Sequence, residues 1–73
     1  MTAENLARVL GDWSAGSGPL YRRLHTALDA AIDRSELRHG TVLPTERSLA
    51  DRLAISRTTV VRAYGDMKRA GLL

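Results

Sequence analysis

Seven side chains in the C-terminal half of the chain carry donors that phosphates and base edges accept: Arg47, Ser56, Arg57, Thr58, Thr59, Arg62 and Lys68. A guanidinium fork matches phosphate oxygens and the O6/N7 edge of guanine, and a hydroxyl or its methyl neighbour reaches a phosphate or a thymine methyl. Their spacing decides what they do together. Ser56 is followed directly by Arg57, Thr58 and Thr59, which reads as an N-cap serine opening a helix whose first turn holds the donors. A helix start also aims unpaired backbone N–H groups and a partial positive charge outward, toward an anion. From Leu43 to Tyr64 the chain reads as two short helices around a three-residue turn. That is a helix-turn-helix, whose second helix presents its N-terminal residues to the DNA major groove.

The charge distribution agrees. The net charge of +3 hides an asymmetry: residues 1–43 hold five arginines and five acids, whereas residues 44–73 hold six basic residues and three acids. The bland explanation of such charges is a solvated helix face. Their concentration on the proposed motif favours a surface that faces phosphates.

Elements that position these residues follow from periodicity. Leu6, Val9, Leu10 and Trp13 form an i, i+3, i+4, i+7 stripe, predicting a short amphipathic helix over residues 4–13 with Thr2 as N-cap. Trp13 packs either on the rest of the domain or on a partner chain. Ser14-Ala-Gly-Ser-Gly18 is a breaker. Pro19 opens the next helix, where its missing N–H is harmless, and Leu20, Leu24, Ala27, Leu28, Ala31 and Ile32 carry that helix to about Glu36. Tyr21 in its first turn is equally a packing aromatic or a phosphate donor. Arg38-His-Gly40 is the expected terminator. His25 and His39 are isolated and are expected to be exposed to solvent.

Residues 41–43 are β-prone and are expected as one short strand of a small sheet, stopped by Pro44, although no partner strand follows them in this chain. Thr45 caps a helix over residues 46–53 with Leu49, Ala50 and Leu53 inward; Ala54 and Ile55 make the turn. The last helix, from Arg57 to about Ala70, buries Val60, Ala63, Tyr64 and Met67, and Gly71 stops it. Gly71-Leu72-Leu73 reads as the lead into a strand, so a β-hairpin wing is the expected continuation and the chain reads as a fragment of a longer protein.

Four stretches, Pro19-Leu-Tyr-Arg-Arg-Leu, Gly40-Thr-Val-Leu-Pro-Thr-Glu-Arg-Ser-Leu-Ala, Ser56-Arg-Thr-Thr-Val-Val-Arg-Ala-Tyr and Ala70-Gly-Leu-Leu, resemble the winged-helix DNA-binding domain of GntR-family bacterial transcription regulators. The resemblance runs from about Pro19 to the end. Val60-Val-Arg-Ala-Tyr64 and Leu10-Gly-Asp-Trp13 look most like the MocR-type branch, in which that domain is fused to a large aminotransferase-like domain that binds pyridoxal phosphate. It implies a mostly α fold: a winged helix-turn-helix with a three-helix core, a short N-terminal helix and a short strand, its wing truncated. The expected division is an N-terminal helix and linker over residues 1–18 and the DNA-binding domain over 19–73. Arg47 looks like the family's DNA-reaching arginine, and Ser56 to Thr59 match the family's recognition-helix start. Two positions depart from the pattern. Val61 stands where many branches place a second arginine, and Ala54 where glycine is usual.

The expected partner is double-stranded DNA, with a homodimer in the full-length protein and a cytoplasmic location. Arg57 is expected to read a base, and Arg47, Arg62, Lys68 and Arg69 to hold the backbone. The alternative is a winged-helix module for protein interaction or dimerisation without base readout. Catalysis finds no support: no nucleophile has a base partner, no carboxylate pair stands out, and there is no glycine-rich phosphate loop. With no cysteine there is no thiolate metal site. Lys68 is the only lysine and lies on the proposed DNA-facing helix. No cofactor is expected here, and pyridoxal phosphate would belong to a C-terminal domain beyond this chain. No apolar run approaches the roughly 20 residues that span a bilayer.

Overall fold

A computed structural model of the chain describes residues 1–38 and 40–71. Four α-helices follow in order: α1 (Ala3–Leu10), α2 (Leu20–Asp33), α3 (Glu46–Leu53) and α4 (Arg57–Arg69), with a single 3₁₀ turn (Trp13–Ala15) between the first two. Three of the helices start on the side-chain caps that the sequence offers. Thr2 accepts from the Asn5 N–H at 3.1 Å, Thr45 from Ser48 at 3.1 Å and Ser56 from Thr59 at 3.2 Å, each satisfying one of the donors that a helix start leaves unpaired.

α4 is the hub. It packs most extensively against α2 and then α3, while α1 lies across α3 and the 3₁₀ turn docks on α2. Leu24, Leu28 and Ala31 from α2, Leu49 and Ala50 from α3, and Val60, Ala63, Tyr64 and Met67 from α4 close one core with Leu6 and Leu10 of α1. These are the inward faces that the helical periodicity predicts. Leu37, beyond the end of α2, joins them fully buried.

Helix ends depart from expectation in ways that have local causes. The N-terminal stripe is not one helix: α1 stops at Leu10 because Gly11 turns to φ 58°, ψ −127°, a conformation only glycine adopts at low cost. Trp13, now in the 3₁₀ turn, still packs partly buried against the core, so its own domain is the surface it covers. α2 ends three residues before Glu36, and its terminator is Ser35 rather than Gly40. Ser35 takes φ 63°, its N–H bonds to the Ile32 carbonyl at 3.0 Å and the Glu36 N–H to Ala31 at 2.9 Å, the paired bonds of a Schellman cap. That reversal aims Leu37 back into the core. Arg34 and Glu36, which flank the reversal, form an ion pair.

The strand expected at residues 41–43 is not formed, and no described residue is in a strand. Extended backbone needs a neighbour to complete its ladder, and here the Val42 carbonyl instead accepts from the Met1 ammonium at 3.0 Å, leaving the Val42 side chain 80% exposed. The strand lead-in at Leu72 and Leu73 and the exposure expected of His39 lie outside the described residues. His25 is not the solvent-exposed residue expected. It is half-buried, and its Nε2 is sequestered without a hydrogen-bond partner among the described residues.

The turn between α3 and α4 is a second Schellman cap. Ala54 adopts φ 58°, ψ 43°, the Ile55 N–H reaches the Ala50 carbonyl at 3.1 Å, and Ile55 packs partly buried on the core. A left-handed alanine costs on the order of 1 kcal/mol. Ala54→Gly is therefore expected to stabilise the domain by about 0.5 kcal/mol after the extra unfolded-state entropy of glycine is subtracted. Thermal unfolding followed by circular dichroism checks this, and an unchanged or lowered midpoint rejects it.

Candidate nucleic-acid interface

The core side of α4 dictates what its other side shows. With about 100° between successive residues, Val60, Ala63, Tyr64 and Met67 form one buried arc, and Arg57, Val61 and Lys68 fall within about 40° of one another on its flank, next to Tyr64. Thr58 and Arg62 lie on the side opposite the buried arc. Arg57, Thr58, Val61, Arg62 and Lys68 are all exposed, and Thr59 is half-buried. Val61 is 43% exposed, an aliphatic patch among cations where the resemblance implies an arginine in many relatives.

Ser56 is occupied. Its Oγ accepts from the Thr59 N–H and lies 2.9 Å from Thr59 Oγ1, so these two hydroxyls hold each other and the helix start. Arg57 and Thr58, the next positions, keep first-turn backbone N–H groups that point out of the helix end. Arg57 and Arg47 are exposed, and neither side chain bonds to another described residue. Arg69 differs: it is ion-paired with Asp66 one turn earlier, which draws on the charge that the sequence offers to the backbone.

Lys68 sits roughly 16 Å along the helix from Arg57 at 1.5 Å per residue, facing the start of α3. An open groove of about 450 Å³ is lined by Lys68 and Tyr64 of α4 and by Thr45 and Glu46 at the start of α3, beside Arg47. Tyr64 fastens this corner. Its hydroxyl donates to the Pro44 carbonyl at 3.0 Å, and burial first, then the nearby Glu46 carboxylate, pushes its pKa up to about 12. The phenol stays neutral and keeps donating at any ordinary pH. Thus α3 and α4 bring the Arg47 end, the Lys68 end and the Arg57 start onto one two-helix unit.

One pairing has no counterpart in the sequence reading, which leaves Tyr21 as a packing aromatic or a phosphate donor. The Arg62 guanidinium stacks on the ring of Tyr21, its Cζ 3.8 Å from the ring centroid, joining the first turn of α2 to the outer face of α4. Two residues 41 positions apart leave no local pattern, so only the packing of α2 on α4 reveals the pair. No described group of histidine, cysteine or acidic residues is arranged to hold a metal.

Residues 20–73 match the sequence profile of the gntR family of bacterial regulatory proteins. The chain belongs to the GntR family. Its relatives include the HTH-type transcriptional regulator Rv0792c of Mycobacterium tuberculosis, 45% identical over 60 residues, which are 82% of this chain and 22% of that one. The mannosyl-D-glycerate transport/metabolism system repressor MngR of Escherichia coli is 42% identical over 58 residues, 80% of this chain and 24% of that one. An uncharacterized HTH-type transcriptional regulator of Bacillus subtilis, YdeL, is 38% identical over 55 residues, 75% and 12% respectively. This chain thus spans less than a quarter of the length of these curated relatives. No solved structure gives a significant match. α3 and α4 are the helix-turn-helix of the DNA-binding domain of a GntR-family transcription regulator, and this domain is not an enzyme. No described helix is long and apolar enough to cross a membrane.

Proposed function

We propose that α4 enters the DNA major groove start-first and that Arg57 reads a guanine through O6 and N7. Arg47, Arg62 and Lys68 hold phosphates on either side. Thr58 reaches a phosphate or a thymine methyl, while Ser56 and Thr59 act chiefly by holding the helix start. The carrying observation is Arg57 itself: exposed, its side chain without a bond to any other described residue, and fixed in the first turn by the Ser56 cap. Residues 19–73 form the DNA-binding unit, and residues 1–18 brace it by laying α1 across α3.

In the whole protein this domain pairs with a second copy on two half-sites, in the cytoplasm, and a C-terminal domain senses a small molecule. The MocR-type arrangement, with its pyridoxal phosphate in that second domain, rests on the Val60–Tyr64 and Leu10–Trp13 resemblance. Support for a large companion domain comes from relatives such as YdeL, of which the matched segment is only 12%. A reading frame continuing into an aminotransferase-like domain with its own lysine is the expected result, and a different ligand domain rejects the branch.

Direct DNA engagement is tested by titrating the 73-residue chain with a duplex selected from a randomised pool, at several salt concentrations. With three phosphates neutralised, log K is expected to fall with log salt at a slope of about −3. A flat dependence rejects the phosphate assignments and favours the protein-interaction alternative.

A further inference from the structure

Tyr21 lies in the first turn of α2, half-buried, with the Cζ of Arg62 of α4 over its ring, 3.8 Å from the centroid. We infer that Tyr21 is a positioning residue for DNA binding: its ring face aims the Arg62 guanidinium at a phosphate. This rests on the DNA-binding reading above and names a residue outside the helix-turn-helix as part of its machinery.

An exposed arginine has several rotatable bonds, and holding it in one geometry has an entropic cost that falls on the complex if nothing fixes it beforehand. A stack on an aromatic face fixes it in the free protein. The attraction uses the ring quadrupole and the flat face of the guanidinium. The N–H donors lie in the guanidinium plane, so stacking consumes none of them and leaves the fork for phosphate oxygens. No carboxylate competes, since Arg62 makes no ion pair among the described residues, in contrast to Arg69, which is tied to Asp66. The support is rigid as well, because α2 and α4 form the most extensive helix–helix interface in the domain. Tyr21 reaches Arg62 through its ring, so its hydroxyl is dispensable to this role.

The test is a double-mutant cycle on the 73-residue chain, read as affinity for a labelled 20-base-pair duplex of mixed sequence at low salt, which suffices because phosphate contacts are sequence-independent. Arg62→Ala is expected to weaken binding about 5-fold and to reduce the salt slope by about 1. Tyr21→Phe keeps the ring and is expected to bind as the native chain does. Tyr21→Leu removes it and is expected to weaken binding about 3-fold, the scale of an exposed cation–π contact. Combined with Arg62→Ala, it adds no further loss. A purely structural role moves the unfolding temperature without this coupling. Arg62→Lys, at an exposed position where folding is not at stake, keeps the charge but loses the flat stack and is expected to bind about 2- to 3-fold more weakly. Losses that multiply in the double variant overturn the proposal, as does a Tyr21→Phe loss equal to that of Tyr21→Leu, or native affinity in both Tyr21→Leu and Arg62→Lys. If the native chain itself shows no salt-dependent binding, the DNA assignment falls and this one with it. If Arg62→Ala weakens binding and Tyr21→Leu does not, only the role of Tyr21 falls.

Discussion

Arg57→Ala is expected to weaken binding to the selected duplex by about 1–3 kcal/mol, roughly 5- to 160-fold, and to relax the preference at one base pair. The size follows from where the side chain is held. Ser56 caps α4 and Thr59 closes the cap, so the first turn is ordered before any partner arrives. The Arg57 side chain has no intramolecular partner to give up among the described residues. A bidentate contact made from such a start discriminates against the other base pairs, because a mismatched edge leaves its donors unpaired. Arg47→Ala and Lys68→Ala should behave differently, weakening binding alike on all sequences and each reducing the salt slope by about 1. Competition titrations with single-base-pair variants of the selected duplex separate the two behaviours. If Arg57→Ala lowers affinity equally for every variant, it contacts a phosphate and the base-reading assignment is wrong.

Leu28→Ala is expected to cost about 3–5 kcal/mol in folding free energy, from lost transfer energy plus the cavity left behind. Leu28 is fully buried on α2, in the same cluster as Val60, Ala63 and Met67 of α4, where the surrounding helices cannot collapse around a missing side chain without moving α4. A domain of this size has about 4–11 kcal/mol in total at 0.05–0.15 kcal/mol per residue, so most of the margin disappears. The unfolding midpoint should fall by about 12–40 °C, with DNA affinity lost wherever the fold is lost. Val42→Ala is the control: an aliphatic side chain 80% exposed should leave the midpoint nearly unchanged. A Leu28→Ala midpoint within a few degrees of the native chain means that α2 does not hold α4 in the way described.

Periodicity and caps are local properties, and what rests on them was legible in the residues. Leu49 and Ala50 of α3 and Val60, Ala63, Tyr64 and Met67 of α4 are buried as their 3.6-residue spacing requires. Thr45 and Ser56 start their helices through side-chain oxygens within three residues of the donors they satisfy. The exposed arc of α4, from Arg57, Lys68 and Val61 beside Tyr64 to Thr58 and Arg62 opposite the core, follows by subtraction once the inner arc is known. The family also follows from short motifs in order.

Tertiary structure alone decided the rest, because the forces involved act between residues far apart in sequence or depend on a backbone conformation that side-chain type only biases. Ser35 rather than Gly40 ends α2, since burying Leu37 rewards a reversal there enough to place a serine at positive φ. The β-prone residues 41–43 stay out of a strand, a strand being a property of two segments and not of one. Trp13, a continuation of the α1 stripe by spacing, is detached from that helix by the backbone of Gly11 yet returns to the core through the 3₁₀ turn. Arg69 meets Asp66, and Arg62 meets Tyr21. The composition of α4 states which cations it carries; which are committed inside the molecule and which are presented outward is set by the three-dimensional neighbours that packing supplies.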